Sequence, residues 1–173
     1  DDIDVAIALF RWTIQSLAIQ SDPPLSAAAG SKGVRWFERG DILLSGRGSA
    51  AQRSWIFLEL LRQAGLKGVM LGTVGRDGSY RPWLPAVLIG GEAYLFEPTY
   101  GIPVPSRAGL GVATVREAAS DARVLSQLDD TSRRYPVASD DMKNLVVLVP
   151  ADPQSLSRRM KLLEQNLFGG SAV

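Results

Sequence analysis

Between Gly46 and Gly65 the chain reads GRGSAAQRSWIFLELLRQAG, a glycine-bearing loop that runs into an amphipathic stretch. Enzymes often mount a nucleophile at such a junction, because the backbone dipole at a helix start stabilises a thiolate or an oxyanion. The first turn offers Ser49, Ala50, Ala51 and Gln52, so Ser49 is the hydroxyl at hand, with Ser54 and Thr99 near the same motifs. A serine nucleophile needs a base. With no histidine in 173 residues, that base would have to be lysine, aspartate or glutamate. Lys32 and Lys67 lie far from the motif in sequence, and no Ser-x-x-Lys spacing occurs. Asp77, Glu92 and Glu97 surround one expected sheet and could pair for carboxylate hydrolysis, although their spacing alone is nonspecific.

The chain also has no cysteine, which removes thiol catalysis, disulfides and, together with the missing histidine, nearly every zinc site. Carboxylate sites for calcium or magnesium stay possible, but no EF-hand-like loop occurs, so the expectation is no cofactor and no metal. Gly46-Arg47-Gly48-Ser49 could cradle a carboxylate or phosphate on free N–H groups, with Arg47 adding charge. The competing reading is a tight turn and helix cap, since Ser49 and Gln52 have the spacing of a capping box. The formal net charge of +1 is scattered rather than massed, which gives no electrostatic footprint for nucleic acid or an anionic membrane. No apolar run reaches the roughly 18 residues needed to span a bilayer.

These residues need elements to hold them. Ile3, Ile7, Phe10, Ile14 and Leu17 recur at helical spacing behind Asp1, Asp2 and Asp4, which predicts a first helix. SDPPLSAAAGSKG reads as a loop, and extended pieces are expected around Trp36 and over Ile42 to Leu44. A helix follows from about Ala50 to Ala64, stopped by Gly65, with Trp55, Ile56, Phe57, Leu58 and Leu61 as its apolar surface. KGVMLGTV reads as a strand, and PWLPAVLIGGEAYLFEP as a hairpin around Gly90-Gly91. Pro82 and Pro85 lack ladder donors, so the Trp83 strand should lie at an edge or carry a bulge. TVREAASDARVLSQLDD predicts one helix behind Thr114, NLVVLVP a buried strand, and DPQSLSRRMKLLEQNLF a last helix. A chain that is 46% hydrophobic can bury one core, so residues 1–173 are expected to form one domain. Helices followed by grouped strands argue α+β with a mainly antiparallel sheet. An opening Asp in place of Met suggests a piece of a longer protein.

Gly48-Ser49-Ala50 leading to Leu60-Leu61-Arg62-Gln63-Ala64-Gly65, then Arg81-Pro82-Trp83, then Glu97-Pro98-Thr99, resembles the transglutaminase-like branch of the papain-like cysteine-protease fold. Members commonly show glycine-small-Cys at the start of a buried helix, His-x-Trp on a strand and Asp-Pro-Thr at the end of the next. The resemblance covers about half the chain, Gly46 to Gly101, and implies an antiparallel sheet packed on a buried central helix with additional flanking helices. It is also similar to bacterial domains of unknown function. The resemblance places the nucleophile on Ala50, the histidine on Arg81 and the acid on Glu97, and so implies a degenerate member without the Cys–His pair. Ala50 has no proton to lose, and Arg81 stays protonated and cannot act as a base.

By this reading the chain is a noncatalytic module of a larger bacterial protein that binds an extended peptide, or another domain of its parent, through the relict groove. Arg47, Ser49, Arg81, Trp83 and Glu97 are its candidate ligand-binding residues, and Arg81 and Glu97 are expected to form an ion pair. Trp55, Tyr80, Tyr94 and Tyr100 could line the groove with Trp83, or could be ordinary core. Two alternatives stay open. One is a purely structural domain whose groove is filled by its own side chains, and the other is a hydrolase working through carboxylates or serine.

Overall fold

Three aspartates at the start of the chain fix its first helix, α1 (Asp2–Ser16). The side chain of Asp1 accepts from the Asp4 N–H at 3.0 Å, closing a capping box, and the acidic first turn suits the positive end of the helix dipole. The computed structural model describes residues 1–20, 39–75 and 78–148. The loop expected after α1, the extended piece at Trp36 and the last helix therefore lie outside the described residues.

From α1 the chain makes β1 (Ala18–Ile19), then α2 (Arg39–Ser45) and β2 (Arg47–Gly48), which runs parallel to β1. Ile42 to Leu44, expected to be extended, belong to the helix α2, and Ile42 is buried against Leu17 and Ile56. The apolar run was too short for its period to separate helix from strand. The central helix α3 (Ala50–Gln63) starts one residue past its cap, Ser49, and ends before Gly65, whose φ of +78° is the left-handed conformation that stops a helix.

Four long or short strands then build most of the sheet: β3 (Lys67–Val74), β4 (Tyr80–Ile89), β5 (Glu92–Glu97) and β6 (Ile102–Pro103). With β7 (Val146–Leu148) they form one antiparallel sheet in the order β6-β5-β4-β3-β7. The β4–β5 turn places Gly90 and Gly91 at φ +59° and +84°, the primed turn that matches strand twist. β4 is central rather than an edge, and its prolines are accommodated at a bulge. Met70 pairs with Pro85 and Gly72 with Pro82, so three steps of β4 oppose two of β3. β7 lies at the sheet edge with Val147 exposed, so NLVVLVP is not the buried strand its unbroken apolar run predicts.

Helices cover both faces of this sheet. On one face α1 and α3 bury Phe10, Phe57 and Leu61 against Val87 and Phe96, with the three phenylalanine rings at mutual centroid distances of 5.1 Å. α3 comes so close to β3 that a Cβ on Gly68 would stand 2.6 Å from Leu58 Cδ2 and 2.9 Å from Leu61 Cδ1, so any larger residue there would have to displace the ends of these two leucines. On the other face Leu84, Ala86 and Leu95 pack under α4 (Val115–Ser120), α5 (Ala122–Ser126) and a 3₁₀ turn (Ser139–Asn144). The sequence predicts one helix where α4 and α5 stand. Asp121 divides them, ending α4 in an extended conformation and capping α5 through the Arg123 N–H at 2.9 Å. Among the described residues, no helix is long and apolar enough to cross a membrane.

Candidate functional site

The start of α3 uses its polar groups on itself. Ser49 Oγ accepts from the Gln52 N–H at 3.3 Å, and Gln52 Oε1 accepts from the Ser49 N–H at 2.9 Å. Ser49 is buried, and two N–H groups that an anion would need are already taken. Arg47 is exposed on β2, and its segment is spent on the parallel pairing with Ala18 and Ile19. Ser54 Oγ donates back to the Ala50 carbonyl at 2.8 Å, so this hydroxyl too is occupied. Ala50 itself is half-buried and presents only a methyl group.

One helical turn beyond Ala50, Arg53 supplies what the sequence gave no reason to expect. Its guanidinium is buried and donates from Nε to the Leu17 carbonyl and from Nη1 to the Pro98 carbonyl, both at 2.9 Å, with Nη2 also on Leu17. Burial pulls the guanidinium below its usual value, with no carboxylate to offset it. Three carbonyl-directed N–H bonds tie the end of α1 and the end of β5 to the first turns of α3. In sequence, an arginine behind a capping box reads as an ordinary solvated face.

Glu97, at the end of β5, is 3% exposed. Oε1 accepts from the Thr99 N–H at 2.7 Å, and Oε2 accepts from the Tyr135 hydroxyl. Tyr135 in turn accepts from the Trp83 indole N–H at 2.9 Å, so donors and acceptors run in one direction from Trp83 through Tyr135 to Glu97. The Tyr135 backbone N–H is held by Asp129 Oδ1 at 2.7 Å, and its ring lies 6.1 Å from that of Tyr100. Burial first, and then the charge and hydrogen bond of Glu97, push the Tyr135 phenol far above its ordinary value, against the opposing pull of the Trp83 N–H. Among the described residues, no buried side-chain nitrogen or oxygen lacks a hydrogen-bond partner.

Of the expected site residues, the fold joins Trp83 and Glu97, through Tyr135. It does not join Arg81 to Glu97. Arg81 is exposed, pairs across β3 with Thr73, and directs Nε to Ser79 Oγ at 3.3 Å. Continuing the β4–β5 register from Ala86 and Leu95 sets Leu84 opposite Glu97, which leaves Arg81 three positions further, on the order of 10 Å along the strand. The expected ion pair is therefore replaced by neutral donors. Alternation also separates Glu97 from the central helix, because Glu97 shares a face with Leu95, whereas α3 packs on the face of Phe96. What brings α3 to this end of the sheet is Arg53 on the Pro98 carbonyl.

The other expected aromatics divide. Trp55 and Tyr94 are half-buried, whereas Tyr80 is 67% and Tyr100 45% exposed. Glu92 forms an ion pair with Arg116 at 2.8 Å, and odd spacing along β5 sets it on the opposite face from Glu97, so these two carboxylates do not form an acid–base pair. Asp77 lies outside the described residues. Among the described residues, no group of three or more aspartate or glutamate side chains is placed to hold a metal ion.

No protein-family model and no curated protein matches the chain. Among solved structures it is similar to a proposed cysteine protease from Cytophaga hutchinsonii, with 18% identity and a TM-score of 0.40. The match covers 83% of this chain and 51% of the other, so the chain spans about half the length of that protein. At that TM-score the two chains follow only a loosely common path, and nothing about this chain's chemistry follows from it.

Proposed function

We propose that this chain is a noncatalytic, transglutaminase-like domain of a larger protein, in which the groove beside the acid position is filled by the chain's own Tyr135. The observation that carries the reading is the seat of the Tyr135 hydroxyl between Trp83 and the buried Glu97. A carboxylate that accepts from a phenol and a backbone N–H has both oxygens engaged, and it faces neither a nucleophile nor a base. Ala50 supplies no reactive group at the helix start, and Ser49, the neighbouring hydroxyl, is consumed in the cap.

This filled groove favours the structural reading over peptide capture at the relict site. An extended peptide entering beside Trp83 would first have to expel Tyr135, break two hydrogen bonds and strip a buried carboxylate of a donor. A hydrolase working through serine or carboxylates fares worse, since Ser49 and Ser54 donate to or accept from their own helix and Glu97 has no second carboxylate on its face of β5.

The test pairs an activity assay with a binding assay. The wild-type chain, given casein, fluorogenic ester and amine-donor substrates, is expected to show no turnover above the uncatalysed rate. Tyr135→Ala should open the groove and take up small phenols such as p-cresol, seen as a change in the Trp83 indole resonance. Turnover by the wild-type chain that disappears in Glu97→Gln would refute the noncatalytic reading. Failure of the folded Tyr135→Ala variant to take up p-cresol would refute the filled groove.

A further inference from the structure

Between α5 and the 3₁₀ turn, residues 129–136 form a strap that satisfies most of its polar groups internally. Asp130 and Arg133 pair backbone to backbone at 2.9 and 3.2 Å. The Asp130 carboxylate accepts from the Thr131 N–H and hydroxyl and from the Ser132 hydroxyl, and Asp129 Oδ1 accepts from the Tyr135 N–H at 2.7 Å. Leu128 and Val137 are buried at the two ends, whereas residues 129–134 and Pro136 are exposed. Among the described residues, the strap is hydrogen-bonded to the rest of the fold by the Asp129 N–H on the Ser126 carbonyl and by the Tyr135 hydroxyl on Trp83 and Glu97. One side chain pins its far half.

The strap carries Arg133 and Arg134, the adjacent basic pair among the described residues. Neither the backbone nor the guanidinium of Arg134 has a partner among those residues. Every other described arginine or lysine stands in a helix, a strand or the 3₁₀ turn, except Arg107, which is paired with Asp121 at 3.0 Å. An endoprotease specific for basic residues takes its substrate as an extended strand, pairing with free backbone groups before the cut and seating the basic side chain in an acidic pocket. Arg134 offers both. Because the Tyr135 hydroxyl must let go before the strap can enter such a site, the rate of cutting follows the fraction of time the strap is open.

We propose that Arg133-Arg134 is a processing site, at which an endoprotease specific for basic residues cuts the Arg134–Tyr135 bond and leaves the two pieces assembled. Water supplies the hydroxyl oxygen to the Arg134 carbonyl carbon as the C–N bond breaks, and its protons end on the departing nitrogen, giving a carboxylate on Arg134 and an ammonium on Tyr135. That ammonium takes the place of the N–H already held by Asp129 Oδ1, so a neutral hydrogen bond becomes an ion pair on the same two atoms. In the cut chain the seat of Tyr135 therefore depends on the charge of Asp129, as it does not in the intact one. The inference rests on the filled groove and adds how its filling segment is released from the chain.

The test exposes the full folded chain to an endoprotease specific for paired basic residues, at neutral pH without denaturant, and follows the products by intact mass. A piece ending at Arg134 and one beginning at Tyr135 are expected, absent from Arg134→Gln and formed at least about tenfold faster from Tyr135→Phe. The pieces should co-elute on size exclusion and keep the Trp83 indole resonance. Asp129→Asn retains an acceptor for the N–H but not the charge, so it should leave that resonance in place in the intact chain and shift it in the cut one. The proposal is overturned by the absence of a product ending at Arg134 unless urea is added, by pieces that separate, or by a cut Asp129→Asn chain indistinguishable from the cut wild type. If no such product forms while Tyr135→Phe still moves the Trp83 resonance, the processing site fails and the filled groove stands. Equal cutting of wild type and Tyr135→Phe with an unmoved resonance refutes the groove and the pin together.

Discussion

Removing a single oxygen atom tests the central claim about this fold. Tyr135→Phe keeps the ring that packs near Tyr100 and deletes the hydroxyl that donates to Glu97 Oε2 and accepts from Trp83 Nε1. One lost bond is to a charged carboxylate, for which about 1.5–3 kcal/mol is typical, and the indole N–H is left without its acceptor in a half-buried site. The expected loss is about 2–4 kcal/mol, or about 5–15 °C in Tm for a chain of this size. Urea denaturation followed by tryptophan fluorescence and far-UV circular dichroism measures the loss, and the Trp83 indole proton should move upfield and exchange faster. Glu97→Gln completes a cycle. An amide has one acceptor oxygen where the carboxylate offers two, so its NH₂ must face either the Thr99 N–H, which can only donate, or the Tyr135 hydroxyl, which would have to turn and accept. The two substitutions should couple by about 0.5–3 kcal/mol. A loss below about 0.5 kcal/mol with an unmoved indole resonance would refute the chain of hydrogen bonds and the filled groove with it.

Three further outcomes follow from the geometry. Because the folded Tyr135 phenol lies above its unfolded value, near 10, its stabilisation is fully present below about pH 10 and declines as pH rises from there through the folded value, by up to about 1.4 kcal/mol per pH unit. An alkaline absorbance titration should show one of the four tyrosines withheld until the chain unfolds. Arg53→Met keeps an unbranched apolar stem but strips the Leu17 and Pro98 carbonyls of donors, and calorimetry should find a loss of about 2–4 kcal/mol, with Arg53→Lys recovering part of it. Gly68→Ala drives a methyl group against the terminal carbons of Leu58 and Leu61, which must move to admit it, with an expected cost of about 1–3 kcal/mol by denaturant titration; a neutral result would mean that these leucines repack freely and that α3 is not closely packed on β3 at this point.

Local devices in the chain were legible because the groups that make them are close in sequence. Ser49 and Gln52 announce the start of α3, Gly65 its end, Thr114 and Glu117 the start of α4, and Gly90-Gly91 the hairpin. The prolines at 82 and 85 forecast an edge strand or a bulge, since they lack ladder donors, and the fold takes the bulge in a central strand. The same reasoning failed where two local solutions compete. Ile42 to Leu44 suit helix or strand, and Asp121 in an apparently continuous helix ends one helix and caps the next. Neither distinction is set by periodicity over so few residues.

By itself the sequence determined that no thiol or imidazole chemistry is available, that a mainly antiparallel sheet packs on helices and that one of those helices spans α3. Only the tertiary structure decided where the polar groups go. Tyr135 lies 38 residues from Glu97 and 52 from Trp83, and Arg53 lies 45 from Pro98, so no local pattern records these bonds. Once Glu97 is buried, its lone pairs must be met by whatever donor the fold carries past it, and the register that leaves Arg81 three positions along β4 hands that role to Tyr135 instead of the arginine that the family resemblance implies.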